Sequence, residues 1–282
     1  MGLVDTLQPE PLSPLFQSGG ALEGYNEDLV QSFGFIVFLW LLDVIVAKNF
    51  IHPGARYFFL HAVINLGVVC AASWPDVMRL IFNSTTAFSG PSQTMIANSA
   101  IIGIHIYHCL AFKLSTADIV HHLVFVTICC GLAIPYKQDG GVANNVGCFV
   151  LSGLPGGIDY AMLVLVKHGY MNKFTEKVWN ARIQGWIRGP AMAVYAFVIW
   201  QNHLLGTLGA PEKPSHVWFF TIAGSLHILN GVYYANEAVF GHGRWTEIMK
   251  QKKLEAAAKK DQDQDRDQDQ DQDKDKDKDK DK

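Results

Sequence analysis

The sequence predicts an all-α, polytopic transmembrane bundle of about seven spans. Three observations lead there. The chain is 49% hydrophobic and 12% aromatic but only 17% charged. Much of that charge lies at one end: residues 261–282 hold 11 Asp, 5 Lys and 1 Arg, leaving 15 acidic and 17 basic residues before them. Apolar runs near the length needed to cross a bilayer, about 20 residues, recur along the near-neutral body.

The runs fall at about 30–47, 57–74, 95–112, 118–136, 142–166, 186–202 and 216–238. The first, second and third are almost unbroken by charge. The fourth starts at Asp118 and carries His121 and His122 in its first turn. The fifth contains "GLPGGID", Gly153 to Asp159, where Pro155 and the paired glycines are expected to kink or break the helix. The sixth opens with "WIRGP" and the seventh carries His227 and Asn230 on one face. This divides the chain into an N-terminal segment 1–29, a transmembrane domain 30–240, a juxtamembrane segment 241–260 and an Asp/Gln/Lys tail 261–282. The tail has no apolar residue to bury and is expected to be disordered. Its alternating signs argue against a nucleic-acid arm.

Lysine and arginine placement predicts orientation. Lys48, Arg56, Lys113, Lys167, Lys173, Lys177, Arg182, Arg244, Lys250, Lys252 and Lys253 fall on one side of the seven-span scheme. Arg79, Lys137 and Lys213 fall on the other, together with an N-terminal segment that has five acidic residues and no basic one. The N-terminus is therefore expected in the lumen and the C-terminus in the cytosol. Asn83-Ser84-Thr85 is a glycosylation sequon on the expected lumenal side, and the terminal lysines fit a retrieval signal to the endoplasmic reticulum. No basic n-region precedes the first apolar run, so no cleaved signal peptide is expected.

Ionisable groups inside a bilayer are costly and normally face a bundle interior or a watery cavity. Six histidines fall in the spans: His61, His105, His108, His121, His122 and His227. His105 and His108 share a helical face, as do Asp118, His121 and His122. Asp118 has a second reading, as a cap on its helix N-terminus. A lone histidine such as His61 reads as a hydrogen bond to a neighbouring helix. The five cysteines lie in apolar runs without zinc-site spacing and read as small core residues. No metal site is expected.

Several function classes can be weighed on these residues. A retinal receptor needs a Schiff-base lysine in its last span, and 216–238 has none. A di-iron hydroxylase or desaturase needs several histidine boxes, of which "HIYH" and "DIVHH" are only fragments. A secondary transporter would suit the interrupted fifth span, but no internal repeat is visible.

The run "FKLSTADIVHHLVFVTICCGLAIPY" resembles the histidine-pair segment of the TLC-domain family, which includes the ceramide synthases and shorter lipid-related proteins. The likeness continues through "FVLSGLPGGIDYAMLVLVKHGY" and "WIRGP", and covers about residues 90–200 in recognisable pattern. Asp159 resembles the distal aspartate of the segment that ceramide synthases write His-Asp-x-x-Asp. The first aspartate is replaced within "SGLPGG", which brings the chain closer to the shorter TLC-domain proteins.

This resemblance implies a bundle around a lipid-accepting cavity, in the endoplasmic reticulum, acting on or regulating membrane lipids. As an enzyme it would be an acyltransferase using acyl-CoA as co-substrate, with no bound cofactor. Of the residues that match the family, His121, His122 and Asp159 are the expected catalytic groups. Asp118 joins them as a partner that would orient an imidazole. Arg188, Lys113, His105 and His108 are the expected substrate-binding residues, the first two for coenzyme-A phosphates. Membrane lipids are the expected partners, with a homo-oligomer as a further candidate and no nucleic acid. The alternative is a non-enzymatic lipid binder, chaperone or regulator on the same scaffold.

Overall fold

The computed structural model describes residues 21–280, and side-chain surroundings for 25–260 and Gln262. Expectations for residues 1–20, and for the final Asp281 and Lys282, lie outside the described residues. The described backbone is helical, without strands. Seven rods follow one another: α1 (21–50), α2 (Pro53–Phe82), α3 (Ile96–Ala111), α4 (Thr116–Tyr136), α5 (Ala143–Lys167), α6 (173–204) and α7 (Pro214–Lys280).

Four of these rods, α1, α2, α4 and α5, are long and apolar enough to cross a membrane. Helix α3 is apolar but short, at 16 residues. It reads as the central helix, because ten of its residues are buried. Helix α6 is polar in its first part, Lys173–Arg182, and α7 interrupts its apolar stretch with His216, His227, Asn230 and Glu237. The outer surface exposes Leu110, Phe82, Trp186 and Phe240, large side chains that a soluble bundle would bury.

The rods alternate in direction. At one end His52 N–H donates to His168 Nε2 at 3.1 Å, joining the α1–α2 connection to the α5–α6 connection. At the other end Gly141 N–H donates to Gly90 O at 2.8 Å and Gly209 N–H to Asp139 O at 3.1 Å, joining the α2–α3, α4–α5 and α6–α7 connections. The Lys137–Asp28 ion pair (2.8 Å) ties the start of α1 to this second end. Gly141 sits at φ +50° with Phe88 backbone against its Cα hydrogen, a position no side chain could share.

Close approach between rods depends on two glycines. A Cβ at Gly103 would lie 2.6 Å from Phe35 Cβ, and one at Gly157 would lie 2.6 Å from Leu66 Cγ. These allow α3 to meet α1 and α5 to meet α2 at short distance, the means by which helices associate where lipid removes the hydrophobic drive.

One expectation changes. Helix α5 does not break at Pro155: the chain widens into a π-helical turn over Phe149–Gly153 and resumes as α-helix at Leu154–Lys167. Pro155 therefore stands in the first turn of the resumed helix, where a missing N–H costs little. The α7 backbone is helical to Lys280.

Similar π segments occur in α1 (Asp43–Ala47), α2 (Val63–Val69), α4 (His122–Gly131) and α6 (Ile183–Arg188). Each shifts the helical register and turns side chains that a regular α-helix would send elsewhere.

Candidate functional site

Four of the π segments meet around one cavity of about 110 Å³. They supply Asn65 from α2, Phe125, Val126 and Cys130 from α4, Leu151 and Ser152 from α5, and Gln184 and Arg188 from α6. Flanking α-helical turns add His61, His105, His121, Asp159, Tyr160 and Tyr234. Register shifts of this kind are frequent at functional sites, where they re-aim side chains at one point.

Histidine dominates one wall. The His105 ring lies 5.5 Å from those of His61 and His121 and 5.0 Å from that of His122, centroid to centroid. His108 lies 5.0 Å from His122 and 5.9 Å from His61. His105 Nδ1 is held by Ile101 O at 2.7 Å, which directs its Nε2 away from the helix backbone. His121 Nδ1 is hydrogen-bonded to the Tyr234 hydroxyl at 3.2 Å, and His122 Nδ1 lies 3.2 Å from Cys109 Sγ. His61 is buried at 2% exposure, stacks on Tyr160 at 4.6 Å, and its Nε2 has no partner. Among the described residues no group of three or more His, Cys, Asp or Glu is placed to hold a metal ion.

The expected catalytic residues separate. His121 and Asp159 line the cavity, on α4 and α5. His122 does not line it: the ring sits behind His105 and against His108, one layer out. Asp118 acts as the cap that its alternative reading described. Its Oδ2 accepts from Ser115 N–H at 2.9 Å and from Ser115 Oγ–H at 2.7 Å, while Ser115 Oγ accepts from Asp118 N–H at 3.2 Å. That reciprocal pair starts α4 and leaves Asp118 at the rim of an outer groove. Asp159 accepts from Asn180 Nδ2 at 2.7 Å, and the same amide reaches the buried Glu176 at 3.4 Å.

Among the expected binding residues, His105 and Arg188 line the cavity; His108 packs on Tyr57 at 4.2 Å and stands apart from it. Arg188 is buried, at 7% exposure, and held by Gln184 Oε1 (3.2 Å) and Asn230 Oδ1 (2.9 Å). That depth removes it from the end where coenzyme-A phosphates were expected to arrive. Lys113 is exposed in the α3–α4 connection.

Tyr160, Tyr234, Gln184, Ser152 and Asn65 were not expected at the site. Tyr234 was within reach of the sequence: it lies four residues after Asn230 and seven after His227, on the face already marked as polar. Tyr160 directly follows Asp159 in an α-helical turn, while Asn65, Ser152 and Gln184 lie in π segments, whose register leaves no sequence period.

Two further spaces adjoin the cavity. A groove of about 640 Å³ opens between α4 and α7 and shares His121, Phe125 and Tyr234 with it. An apolar pocket of about 50 Å³ lies on the opposite side and shares Ile101, Cys130 and Leu151. This pocket ends at Tyr136, Phe219 and Phe220 and contains Cys129, Cys148 and His227. His121 and Tyr234 therefore stand between the groove and the cavity. Thr116, Asp118 and Glu237 stand at the groove, and the pocket is mostly apolar with Lys137 and Asn144 in its lining.

Compared with protein-family models, curated proteins and solved structures, the chain matches none.

Proposed function

We propose that this protein is a membrane enzyme of the TLC-domain type that transfers an acyl group from acyl-CoA to the amine or hydroxyl of a membrane lipid. The single observation that carries the reading is the cavity holding His121, Asp159 and Arg188 between an outer groove and an apolar pocket. A long-chain substrate needs such an order of surfaces, and an acyl-transfer site needs a base beside the reacting carbonyl.

In this reading the acceptor enters from the groove, and its N–H or O–H approaches His121. The imidazole takes the proton while the acceptor atom bonds to the thioester carbonyl carbon. The carbonyl electron pair moves to oxygen, then returns as the carbon–sulfur bond breaks. The departing thiolate takes the proton from the imidazolium, so the net products are the acylated lipid and free coenzyme A. Tyr234, bonded to His121 Nδ1, sets the ring so that Nε2 is the working atom. Asp159, in the same cavity, favours the transient imidazolium.

The finer topology belongs to the same proposal. All seven rods traverse the bilayer in the endoplasmic reticulum, with the N-terminus lumenal and the C-terminus cytosolic. The alternating rods and the basic residues gathered at the end bearing His52 and His168 support this. Protease treatment of sealed microsomes should then remove a C-terminal tag and spare an N-terminal one.

The test of activity is single-turnover conversion of radiolabelled palmitoyl-CoA by purified protein in nanodiscs, with the extracted lipids of its host as acceptors. A labelled lipid that forms with wild type and fails with His121→Ala supports the enzyme. Binding of palmitoyl lipid without turnover supports the alternative, a lipid binder or regulator, which the absent first aspartate of the family segment favours.

A further inference from the structure

Arg56 and Arg188 both reach into the bundle, and only Arg56 is neutralised by a carboxylate. Arg56 makes a bidentate pair with Asp43, through Nε–H (3.0 Å) and an Nη–H (2.6 Å). Arg188 is buried more deeply, at 7% exposure, but its partners are the neutral Gln184 and Asn230 and the face of Tyr234, 4.8 Å from the guanidinium carbon. Among the described residues no carboxylate oxygen lies within 4 Å of the Arg188 guanidinium. Its Nε–H has no acceptor at all.

A guanidinium held in low dielectric without a counter-charge is an expensive arrangement. Asp159 lines the same cavity, so a carboxylate stands near at hand, yet Asn180 holds it instead. The opposite charges thus face one space without closing on each other. His61 Nε2 and Asn65 Nδ2, on two other residues of this wall, also lack partners. A ligand bearing negative charge on oxygen would satisfy these groups together, and the adjoining apolar pocket would meet the first methylenes of a hydrocarbon chain attached to it.

We propose that Arg188 is the anchor for a long-chain carboxyl oxygen: the carboxylate of a fatty acid, or the oxygen of an acyl carbonyl as it gains charge. This rests on the acyl-transfer reading for its second form only; a fatty-acid site would exist without turnover. It reassigns Arg188 from coenzyme-A phosphates to the reacting end of the chain. The guanidinium offers fixed planar donors that match carboxylate geometry.

The test uses the full chain in phosphatidylcholine nanodiscs, with palmitate and hexadecanol competing against a fluorescent fatty acid. Wild type should hold palmitate at least tenfold more tightly than hexadecanol, because the two differ only in the group that meets Arg188. Arg188→Gln should lose that preference while its Tm stays level or rises, since removing an uncompensated buried charge relieves a cost. A merely structural arginine would show the reverse, a lower Tm with the preference kept. Equal affinity of wild type for both probes overturns the proposal whatever the variant does, so a misfolded Arg188→Gln does not shelter it. Palmitate preference without any acyl product would sink the acyl-transfer reading and leave this site standing. Acyl product formed equally by wild type and Arg188→Gln would do the opposite.

Discussion

Asp43 with Arg56 and Asp159 with Arg188 bring the same two residue types inside the bundle, and the bundle treats them in opposite ways. The first is closed: Arg56 makes two bonds to Asp43, and the Tyr107 hydroxyl adds a third to Asp43 Oδ2 at 2.9 Å. Every strong acceptor there is used, and the group locks α1 to α2 and α3. The second is open: acid and base line one cavity and each is held by neutral amides. A saturated pair has little left to offer a ligand, whereas an unsaturated one carries binding capacity that its own fold leaves unused. The comparison separates charges that hold helices together from charges left facing a cavity.

The largest expected effect tests the open site. His121→Ala should lower single-turnover acyl transfer by about 10²–10⁴-fold, the usual contribution of a positioned proton-transfer group. Expression and Tm should be nearly unchanged, because the ring's one hydrogen bond is to Tyr234. His122→Ala should cost less, since that ring supports His105 and His108 from behind. An equal loss from both would mean that the cavity wall and the layer behind it act as one unit.

Breaking the closed site comes next. Asp43→Asn should destabilise the protein by about 2–4 kcal/mol, somewhat under the usual range for a broken buried pair because Arg56 can partly reach solvent. Thermal unfolding in nanodiscs measures it, with Arg188→Gln beside it as the contrast. If both variants lost stability alike, the distinction between closed and open pairs would fail.

Tyr234→Phe sharpens the open side at lower amplitude. It removes a single hydrogen bond to His121 and should cost about 1 kcal/mol of transition-state stabilisation, read as a roughly five- to tenfold fall in single-turnover rate with unchanged substrate affinity. A large affinity change would make Tyr234 a gate for entry instead. The smallest effect is expected from truncation after Lys260. It removes no apolar residue, and Tm should move by under about 0.5 kcal/mol equivalent. A larger drop would show that the α7 extension packs on the bundle.

The sequence by itself determined the helical class, the alternation of the rods and the presence of buried ionisable groups. Apolar runs leave a bilayer chain few options but helices, since each backbone N–H and C=O must be satisfied within its own segment. The pairs His105/His108 and His121/His122 were legible because helical spacing places such residues near one another. Only the tertiary structure decided which of them meet a cavity. His121 faces it and His122 does not, though they are neighbours in sequence, and Arg188 lies at its wall instead of at the rim. The physical reason is the π segments of α2, α4, α5 and α6. An added residue per turn rotates every side chain beyond it, and whether a helix accepts that extra residue is settled by its neighbours, at contacts such as Gly157 on Leu66. The same neighbours closed the Arg56 charge with Asp43 and left that of Arg188 open, because a guanidinium finds its partners across helices that lie far apart in the chain.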